Sequence, residues 1–411
     1  MANSKYEYVK CFEVEDEVMF PNIILVWIKA SKLHKPHDLN ALKLMNSCAV
    51  KVLEEYADVV LAYGFSDEYT FVFKKTSKFY ERRASKVLSI FTSFFSSIFV
   101  RKWDEFFPYK ELQCSPSFHG RVIARASVEA LQVYLLWRQN ICHLTNLHEQ
   151  CLWRLVERGM NGKEAWDFIK DFDKSELNNL LFDEFNELGG FVEEINNVTP
   201  EYVRSFEFDS KLMPSTWIVV RIDGCHFHRF SEIHEFVKPN DDRALNLMNL
   251  CAVAVLEKFW EDIVFAFGVS DEYSFILKKA TNLYQRRANT IISAIVSFFT
   301  STYVRRWKNF FQQSELKYPP SFDGRAVCYP STEILRTTFH GDKWIATSTI
   351  NITLVSGIMY RQGSSVYRDK VDIALIHQEN GEFPENYGKV IVGHIDIIGP
   401  TFWLEHPNIL D

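Results

Sequence analysis

Acidic residues at two places in the second half of the chain have the types and spacing that divalent cations require. Asp223 and Gly224 follow a short apolar run rich in β-branched residues, and Ser270, Asp271 and Glu272 separate two further apolar runs. Neighbouring strands lie about 4.8 Å apart, so acids at the end of one strand and at an adjacent hairpin can converge. Paired carboxylates that share magnesium with substrate phosphates support phosphoryl and nucleotidyl transfer. Each motif alone is typical of an ordinary turn, so only their combination indicates a two-metal site.

The chain contains two copies of one module. Residues 66–107 align without a gap to residues 270–311, and 21 of the 42 positions are identical. Such self-similarity indicates a tandem duplication, so each copy can be interpreted by comparison with the other. We therefore expect two domains, a first repeat over residues 1–190 and a second repeat over residues 195–411.

The order of apolar runs predicts the elements that must position these acids. Short β-branched runs indicate strands, and apolar residues at helical spacing indicate helices that pack on them. The resulting fold class is α+β, with an antiparallel sheet backed by helices in each copy. The predicted elements of the second copy are a strand at 216–222, a helix at 241–260 with Asp241 as its N-cap, hairpin strands at 262–268 and 273–279, and a helix at about 284–311.

The net charge does not indicate a general nucleic-acid-binding protein. The 411 residues carry a formal charge of −7, and 47% of them are hydrophobic, which is enough for an ordinary core in each half. Basic pairs nevertheless recur at matching places in both copies, where either a solvated helix face or phosphate contact would explain them. These pairs are Arg82-Arg83, Arg101-Lys102, Arg286-Arg287 and Arg305-Arg306.

The sequence also limits the cellular setting. Residues 1–10 lack the apolar segment of a signal peptide, and no uninterrupted apolar run approaches the ~20 residues of a membrane helix. The eight cysteines include no Cys-x-x-Cys pair, which argues against a zinc site and for buried thiols in a reducing compartment. We therefore expect a soluble intracellular protein without a membrane partner.

Four motifs of the second copy together resemble the tRNA-His guanylyltransferase family. They are Asp-Gly-x-x-Phe-His at 223–228, Lys-Pro-Asn-Asp at 238–241, Leu-Met-Asn at 247–249 and Phe-Gly-Val-Ser-Asp-Glu-Tyr-Ser-Phe at 267–275. The similarity covers most of both halves, and the tandem arrangement resembles the plant members. The resemblance implies a palm-like domain in each repeat. It also implies an enzyme that activates the 5′-phosphate of tRNA-His with ATP and then adds GMP from GTP at position −1, using two Mg²⁺ ions.

The resemblance further implies roles for individual residues of the second repeat. Asp223 and Asp271 would bind the metal ions through their carboxylates, and Gly224 through its backbone carbonyl. Glu272 would be a further catalytic acid beside these two, without a direct metal bond, and Arg286 and Arg287 are weaker candidates for phosphate contact. The predicted nucleotide-binding residues are Asp223, Gly224, Cys225, His226, Phe227, His228, Lys238, Ser270 and Asp271.

The first copy departs from this pattern at the metal site. An offset of 194 residues places Lys29 opposite Asp223 and Ala30 opposite Gly224, although Asp67 and Glu68 are retained. The following loop is also nine residues shorter than in the second copy. Because one acid facing an ammonium group should not hold two divalent ions, we expect the first repeat to be catalytically inactive.

The second copy departs from the pattern in a different segment. The first copy continues into a predicted helical stretch at 134–153 that contains His143, whereas residues 337–357 of the second copy resemble neither copy. The second repeat is therefore predicted to lack most of its C-terminal helical segment. Three interpretations stay open: an active guanylyltransferase, another palm-domain nucleotide enzyme such as a cyclase, and an impaired family member that serves as an RNA-binding or assembly subunit. The family implies a possible homo-oligomer in the nucleoplasm or the cytoplasm.

Overall fold

The computed structural model describes residues 16–31, 38–185, 207–208, 211–238, 240–336, 364–369, 389–393 and 405. Its first half contains four strands and five helices. These are β1 (Ile23–Ala30), α1 (Leu39–Glu55), β2 (Val59–Phe65), β3 (Glu68–Phe73), α2 (Ala84–Phe106), β4 (Phe118–Arg125), α3 (Val128–Glu157), α4 (Gly162–Ile169) and α5 (Lys174–Phe185).

The second half repeats the order of elements from β1 to β4, with a short helix inserted after its first long strand, and adds strands at its edge. Its elements are β5 (Glu207–Phe208), β6 (Trp217–Gly224), α6 (Phe227–Ile233), α7 (Asp242–Lys258), β7 (Ile263–Val269), β8 (Glu272–Leu277), α8 (Ala288–Phe310), β9 (Phe322–Tyr329), β10 (Ser364–Asp369) and β11 (Lys389–Gly393). The predicted strand, helix and hairpin are thus confirmed.

Two antiparallel sheets result, which confirms the predicted α+β fold class. The first sheet has the strand order β2-β3-β1-β4-β5, and the second has the order β11-β10-β7-β8-β6-β9. The short strand β5 precedes the second sheet in the chain but pairs with β4 of the first sheet. In each sheet the first long strand lies between the hairpin and a later strand, so its end is flanked on both sides.

The long helix of the second copy begins later than the sequence pattern predicts. Tyr284, Gln285 and Arg286 have left-handed φ values of 48°, 57° and 59°, so they form a tight turn and α8 starts only at Ala288. The first copy has the same turn before α2. The predicted apolar stripe of the helix is otherwise confirmed, because its members are buried: Ile292, Ile295, Phe299 and Tyr303.

The two halves pack against each other through reciprocal serine contacts. Ser93 in α2 accepts from the backbone N–H of Phe322 and donates to its carbonyl, both at 3.0 Å. The equivalent Ser297 in α8 makes both contacts with Phe118, at 2.8 Å. These hydroxyls satisfy backbone groups of β4 and β9 that their own sheets do not pair. The arrangement relates the two repeats by a pseudo-twofold axis.

The first half continues into a separate helical layer. Helices α3, α4 and α5 enclose their own cluster of buried residues, which includes Leu147, Cys151 and Leu177. The predicted helical stretch at 134–153 is therefore confirmed within α3. The contrasting residues 337–357 lie outside the described part of the chain. Over the described residues, none of the helices has the length and apolar character that crossing a membrane requires.

Candidate active site

Pairing within the second sheet brings the predicted acids together. Asp223 at the end of β6 is paired with Glu272 of β8, directly beside the hairpin turn. The backbone N–H of Gly224 donates to the carbonyl of Asp271 at 3.2 Å, which fixes the strand end against the turn. Acids that are 48 residues apart in the sequence therefore share one corner of the sheet.

The turn itself is built from two residues. Val269 pairs with Glu272, so Ser270 and Asp271 alone connect β7 to β8. Ser270 has a left-handed φ of 57°, and its counterpart Ser66 in the first copy has a φ of 52°. A short polar side chain tolerates this conformation better than a β-branched one. The turn presents the Asp271 side chain beyond the end of the strands.

A third aspartate joins the cluster, and the sequence analysis missed it. Asp323 in β9 is the register partner of Asp223 on the side opposite to Glu272. Its counterpart in the first copy is His119, which pairs with Lys29. The two copies thus differ at both positions, and this shared difference was the available signal for finding Asp323.

The local electrostatics of Asp223 differ from those of an ordinary surface carboxylate. Burial by the surrounding protein, followed by the charges of Asp271, Asp323 and Glu272, raises the pKa of Asp223 to about 7. The sequence alone gave no sign of this shift. Like charges held this close favour a bound cation, because a cation would neutralise their repulsion.

The donor set is suited to a hard cation. In the described part of the chain, no group of three or more His, Cys, Asp or Glu side chains is placed to surround one metal ion. Asp223 and Asp271 offer two carboxylates, and Gly224 offers a carbonyl. Mg²⁺ commonly binds through one or two carboxylates and completes its shell with water and phosphate oxygens. The residues present therefore fit magnesium.

Gly224 has no room for a side chain. A Cβ atom at this position would lie 2.4 Å from Cγ of Phe227 and 2.9 Å from Oδ2 of Asp271. Phe227 cannot move away easily, because its ring is buried and lies 4.8 Å from the rings of both Phe230 and Phe322, measured between centroids. The absence of a side chain lets the acid of the turn approach the strand end.

A cavity of about 220 Å³ opens beside the turn. It has a polar rim and an apolar wall, and five of the predicted nucleotide-binding residues line it. Asp223, Gly224, Cys225 and His226 are adjacent but do not line it. The lining residues are Phe227, His228, Ser231, Phe236, Val237, Lys238, Asn240, Asp241, Ala244, Leu245, Met248, Ser270, Asp271 and Tyr303.

Asp241 organises the loop that carries Lys238. Its Oδ1 accepts from the backbone N–H of Arg243 at 3.0 Å, which caps α7, and its Oδ2 accepts from the N–H of Val237 at 3.0 Å. The predicted N-cap is thus confirmed. Because one carboxylate holds the chain on both sides of the loop, the exposed Lys238 ammonium is kept beside the cavity.

Three of the remaining charged candidates have structural contacts. Glu272 forms an ion pair with Arg221, with 3.0 Å between Oε1 and Nε. Arg286 is buried and donates to the carbonyls of Thr281 at 3.0 Å and Thr216 at 3.1 Å. Arg82 of the first copy makes the same kind of contacts. Neither arginine lies on a solvated helix face, and neither is available to a phosphate group.

The first copy neutralises its own acids. The Lys29 ammonium lies 3.3 Å from Oδ1 of Asp67 and 4.0 Å from Oε2 of Glu68. Arg138 of α3 forms a second ion pair with Glu68, and both of these side chains are buried. Side-chain cations therefore pair with both acids of the first copy, whereas Asp271 of the second copy lines a cavity.

An antiparallel sheet with carboxylates at its strand ends, beside a cavity with a lysine, is suited to nucleotidyl transfer. Family comparison gives the same class: residues 6–126 and 200–330 match tRNAHis guanylyltransferase, and residues 129–188 match the C-terminal domain of that family. The chain belongs to the tRNAHis guanylyltransferase family.

Individual relatives extend this similarity over the whole chain. tRNA(His) guanylyltransferase 2 of Arabidopsis thaliana is 42% identical over 536 residues, covering 100% of this chain and 99% of its own length. tRNA(His) guanylyltransferase 1 of the same plant is 44% identical and is covered over 91% of its length. The crystal structure of the Saccharomyces cerevisiae enzyme is 44% identical over 37% of this chain and 67% of that chain, with a TM-score of 0.35.

Proposed function

We propose that this chain adds GMP to the 5′ end of tRNA-His at position −1 by 3′–5′ nucleotidyl transfer, and that the chemistry takes place in its second repeat. The observation that carries the proposal is the placement of Asp223 and Asp271 together beside a cavity. The first repeat has Lys29 in place of the first of these acids, paired with its own Asp67.

In this proposal Asp223, Asp271 and the Gly224 carbonyl hold two Mg²⁺ ions. When bound, these ions neutralise triphosphate charge and lower the pKa of an attacking hydroxyl. Burial, followed by the charges of three neighbouring acids, raises the pKa of Asp223, and a cation at this corner would oppose that rise. The ionised form of Asp223 would then be favoured, and the carboxylates of Asp223 and Asp271 would keep the metal-bound nucleotide in place.

The side chains of the cavity would bind and orient the nucleotide. Lys238 would contact triphosphate oxygens, for which a compact ammonium charge is suited. Ser270 and His228 line the same cavity and offer hydrogen bonds, while Phe227 and Met248 offer an apolar wall for a base. Glu272 acts beside the metal ligands, where its pairing with Arg221 fixes its orientation.

The reaction would proceed in two transfers. The 5′-phosphate of tRNA-His first attacks the α-phosphate of ATP, which forms an adenylylated 5′ end and releases pyrophosphate. The 3′-hydroxyl of GTP then attacks the activated 5′-phosphate and releases AMP. The added nucleotide still carries the triphosphate of GTP, and hydrolytic loss of pyrophosphate from it leaves GMP at position −1. In both steps this chain binds the nucleotide, aligns it with the RNA end and neutralises its charge, since phosphoryl transfer depends mainly on positioning and electrostatics.

The two repeats would divide the remaining work. The first repeat, residues 1–190, supplies the helical layer α3 to α5 as an RNA-contacting module, and the second repeat, residues 195–411, supplies the catalytic site. A homo-oligomer in the nucleoplasm or cytoplasm completes the proposal.

A second candidate function is an impaired family member that binds RNA or assists assembly. Residues 337–357 of the second repeat resemble neither copy of the module. The alignment with the first Arabidopsis relative spans 536 residues, whereas this chain has 411, so that relative contains residues that this chain lacks. These two observations favour the impaired family member over an active enzyme.

One experiment separates the two candidates. The full chain is incubated with 5′-monophosphorylated tRNA-His, ATP, labelled GTP and Mg²⁺, and the products are resolved by length. We expect an ATP-dependent product one nucleotide longer, and none from another tRNA. Binding of tRNA-His without any extension would contradict the enzyme proposal and support the impaired member.

A further inference from the structure

Two side chains of the first repeat reach the acid cluster and nucleotide loop of the second. Nζ of Lys86 lies 3.3 Å from Oδ2 of Asp323, the register partner of Asp223. The Tyr80 hydroxyl lies 3.2 Å from Sγ of Cys225 and 3.4 Å from Nε2 of His226. Lys86 lies in the first turn of α2 and Tyr80 in the tight turn that precedes it, far from Asp323 in sequence but beside it in space.

The packing of the two repeats holds this contact in register. Lys86 shares one face of α2 with Ser89 and Ser93, at the i, i+3 and i+7 spacing of a helical stripe. Ser89 accepts from the backbone N–H of Gly324 at 2.8 Å, and Ser93 bonds to Phe322 at 3.0 Å. Asp323 lies between these two residues, so buried hydrogen bonds on both sides of it align the ion pair.

The two side chains of the first repeat also support each other. The Lys86 ammonium lies 5.2 Å from the centroid of the Tyr80 ring, which is within the range of a cation–π contact. Lys86 and Asp323 are partly buried, with 36% and 25% of their side chains exposed, so solvent screens the pair less than it would at a fully exposed surface. The Asp323 carboxylate therefore faces the Lys86 ammonium.

The ion pair runs from Lys86 of the first repeat to Asp323 of the second, and the symmetry-related positions do not carry these charges. The counterpart of Lys86 in the second repeat is Thr290, which has no charge, and the counterpart of Asp323 is His119. Tyr284 takes the place of Tyr80, but the loop that it would face is nine residues shorter in the first repeat. The two repeats therefore form one composite site, to which the second repeat contributes the acids and the first repeat contributes Lys86 and Tyr80.

We propose that Lys86 and Tyr80 of the first repeat are positioning residues for the active site of the second repeat. Lys86 holds the Asp323 carboxylate to one side, so that Asp223 and Asp271 face the cation site without a competing third acid. Tyr80 holds the turn at Cys225 and His226, where His226 has a left-handed φ of 56°. This proposal rests on the proposed function, and it gives the inactive repeat a role within the catalytic centre.

The first test replaces Lys86 in the full chain. Lys86→Ala should lower guanylylation 10–100-fold, the usual cost of losing a residue that supports a metal site from outside its ligands, and raise the Mg²⁺ concentration for half-maximal rate. Lys86→Arg should restore most of the activity because it keeps the charge. Thr290→Ala, at the matched position, should change neither quantity. Unchanged Mg²⁺ dependence in Lys86→Ala, or failure of Lys86→Arg to restore the rate, would overturn the role of Lys86.

The second test removes one hydroxyl. Tyr80→Phe should raise the KM for GTP several-fold with kcat nearly unchanged, because the nucleotide loop loses its anchor while the metal ligands stay in place. Tyr284→Phe is the matched control and should behave like the unaltered chain. Equal KM values for Tyr80→Phe and Tyr284→Phe would overturn the role of Tyr80.

A binding measurement separates this proposal from the proposed function. If the unaltered chain shows no transfer, the proposed function fails, but a fluorescent GTP analogue titrated with Mg²⁺ still reports on the site. Lys86→Ala and Tyr80→Phe should then weaken binding relative to Thr290→Ala and Tyr284→Phe. Matched affinities in all four variants, with thermal unfolding unchanged, would refute the positioning role by itself.

Discussion

The Lys29 ammonium lies 3.3 Å from the Asp67 carboxylate, at the corner where the second repeat places Asp223 beside Asp271. A side-chain cation in the first repeat thus takes the position that a metal ion would need. Lys29 in place of an aspartate removes one candidate metal ligand and forms an ion pair with the other, Asp67. The sheet that carries the corner is retained, so the proposed loss of chemistry in this repeat needs no rearrangement of the fold.

Nucleotide affinity should depend more on Lys238 than on Lys35, its counterpart in the shortened loop. Lys35 lies outside the described residues, whereas Lys238 lines the cavity. Removing one charge-assisted contact costs about 1.5–3 kcal/mol, so Lys238→Ala should weaken GTP binding roughly 10–150-fold. Titration with a fluorescent GTP analogue measures this, with Lys35→Ala as the control. Similar affinities in the two variants would contradict the assignment.

A methyl group at Gly224 should disrupt the corner. It would meet Phe227 at 2.4 Å and Asp271 at 2.9 Å, so either the buried ring or the acid must shift. We expect Gly224→Ala to lower transfer by at least about tenfold, since displacement of a reacting group by about 1 Å can cost a hundredfold. The first repeat already has alanine at the equivalent position, so Ala30→Gly serves as the control. Full activity of Gly224→Ala would contradict this prediction, because it would show that Phe227 or Asp271 can shift without loss of transfer.

His234 should make stability depend on pH. Its Nδ1–H donates to the Phe230 carbonyl at 2.8 Å, and Nε2 accepts from the backbone N–H of Lys317 at 3.0 Å, so the fold holds the neutral ring. Burial lowers the pKa of His234. The unfolded chain therefore binds the proton first, and the free energy of unfolding should fall as pH drops below about 6.5.

Urea denaturation at several pH values tests this role of His234. His234→Gln should be less stable than the unaltered chain at pH 7.5, but its stability should fall less on acidification to pH 5.5. Parallel losses in both proteins would assign the pH dependence to other groups.

The serine contacts between the repeats should contribute unequally to stability. Ser93 satisfies the backbone of Phe322 across the interface, whereas the equally buried Ser96 donates only to the Ser93 carbonyl of its own helix, at 2.8 Å. Ser93→Ala leaves buried backbone groups without partners, which costs about 1–3 kcal/mol. Ser96→Ala should cost less. Chemical denaturation of both variants measures the difference, and a larger loss for Ser96→Ala would contradict the interface account.

The sequence predicted those features that depend on local patterns. The strand before Asp223 and the hairpin at Ser270 follow from short β-branched runs and a two-residue turn, so their pairing could be expected. The late start of α8 could not, because left-handed φ values at Tyr284 and Gln285 leave no clear trace in residue type. Arg286 was misjudged for a related reason, since this turn directs its guanidinium inward onto carbonyls.

Features that join distant segments lay beyond sequence reasoning. Asp323 enters the cluster only through the pairing of β6 with β9, and Lys86 approaches it only because α2 packs on the opposite repeat. Nothing local to either residue indicates these contacts. Comparison of the two copies was the useful signal, because His119 and Thr290 stand at the matching positions.

The central claim is that the second repeat carries the chemistry, and one matched pair of variants tests it most directly. Asp271 and Asp67 occupy equivalent turns, but Asp271 lines a cavity beside Asp223, whereas Asp67 is paired with the Lys29 ammonium. Incorporation of labelled GTP into 5′-monophosphorylated tRNA-His should fall by several orders of magnitude in Asp271→Ala and stay within about twofold in Asp67→Ala, since only the former loses transition-state charge neutralisation. Equal losses in the two variants would contradict the account.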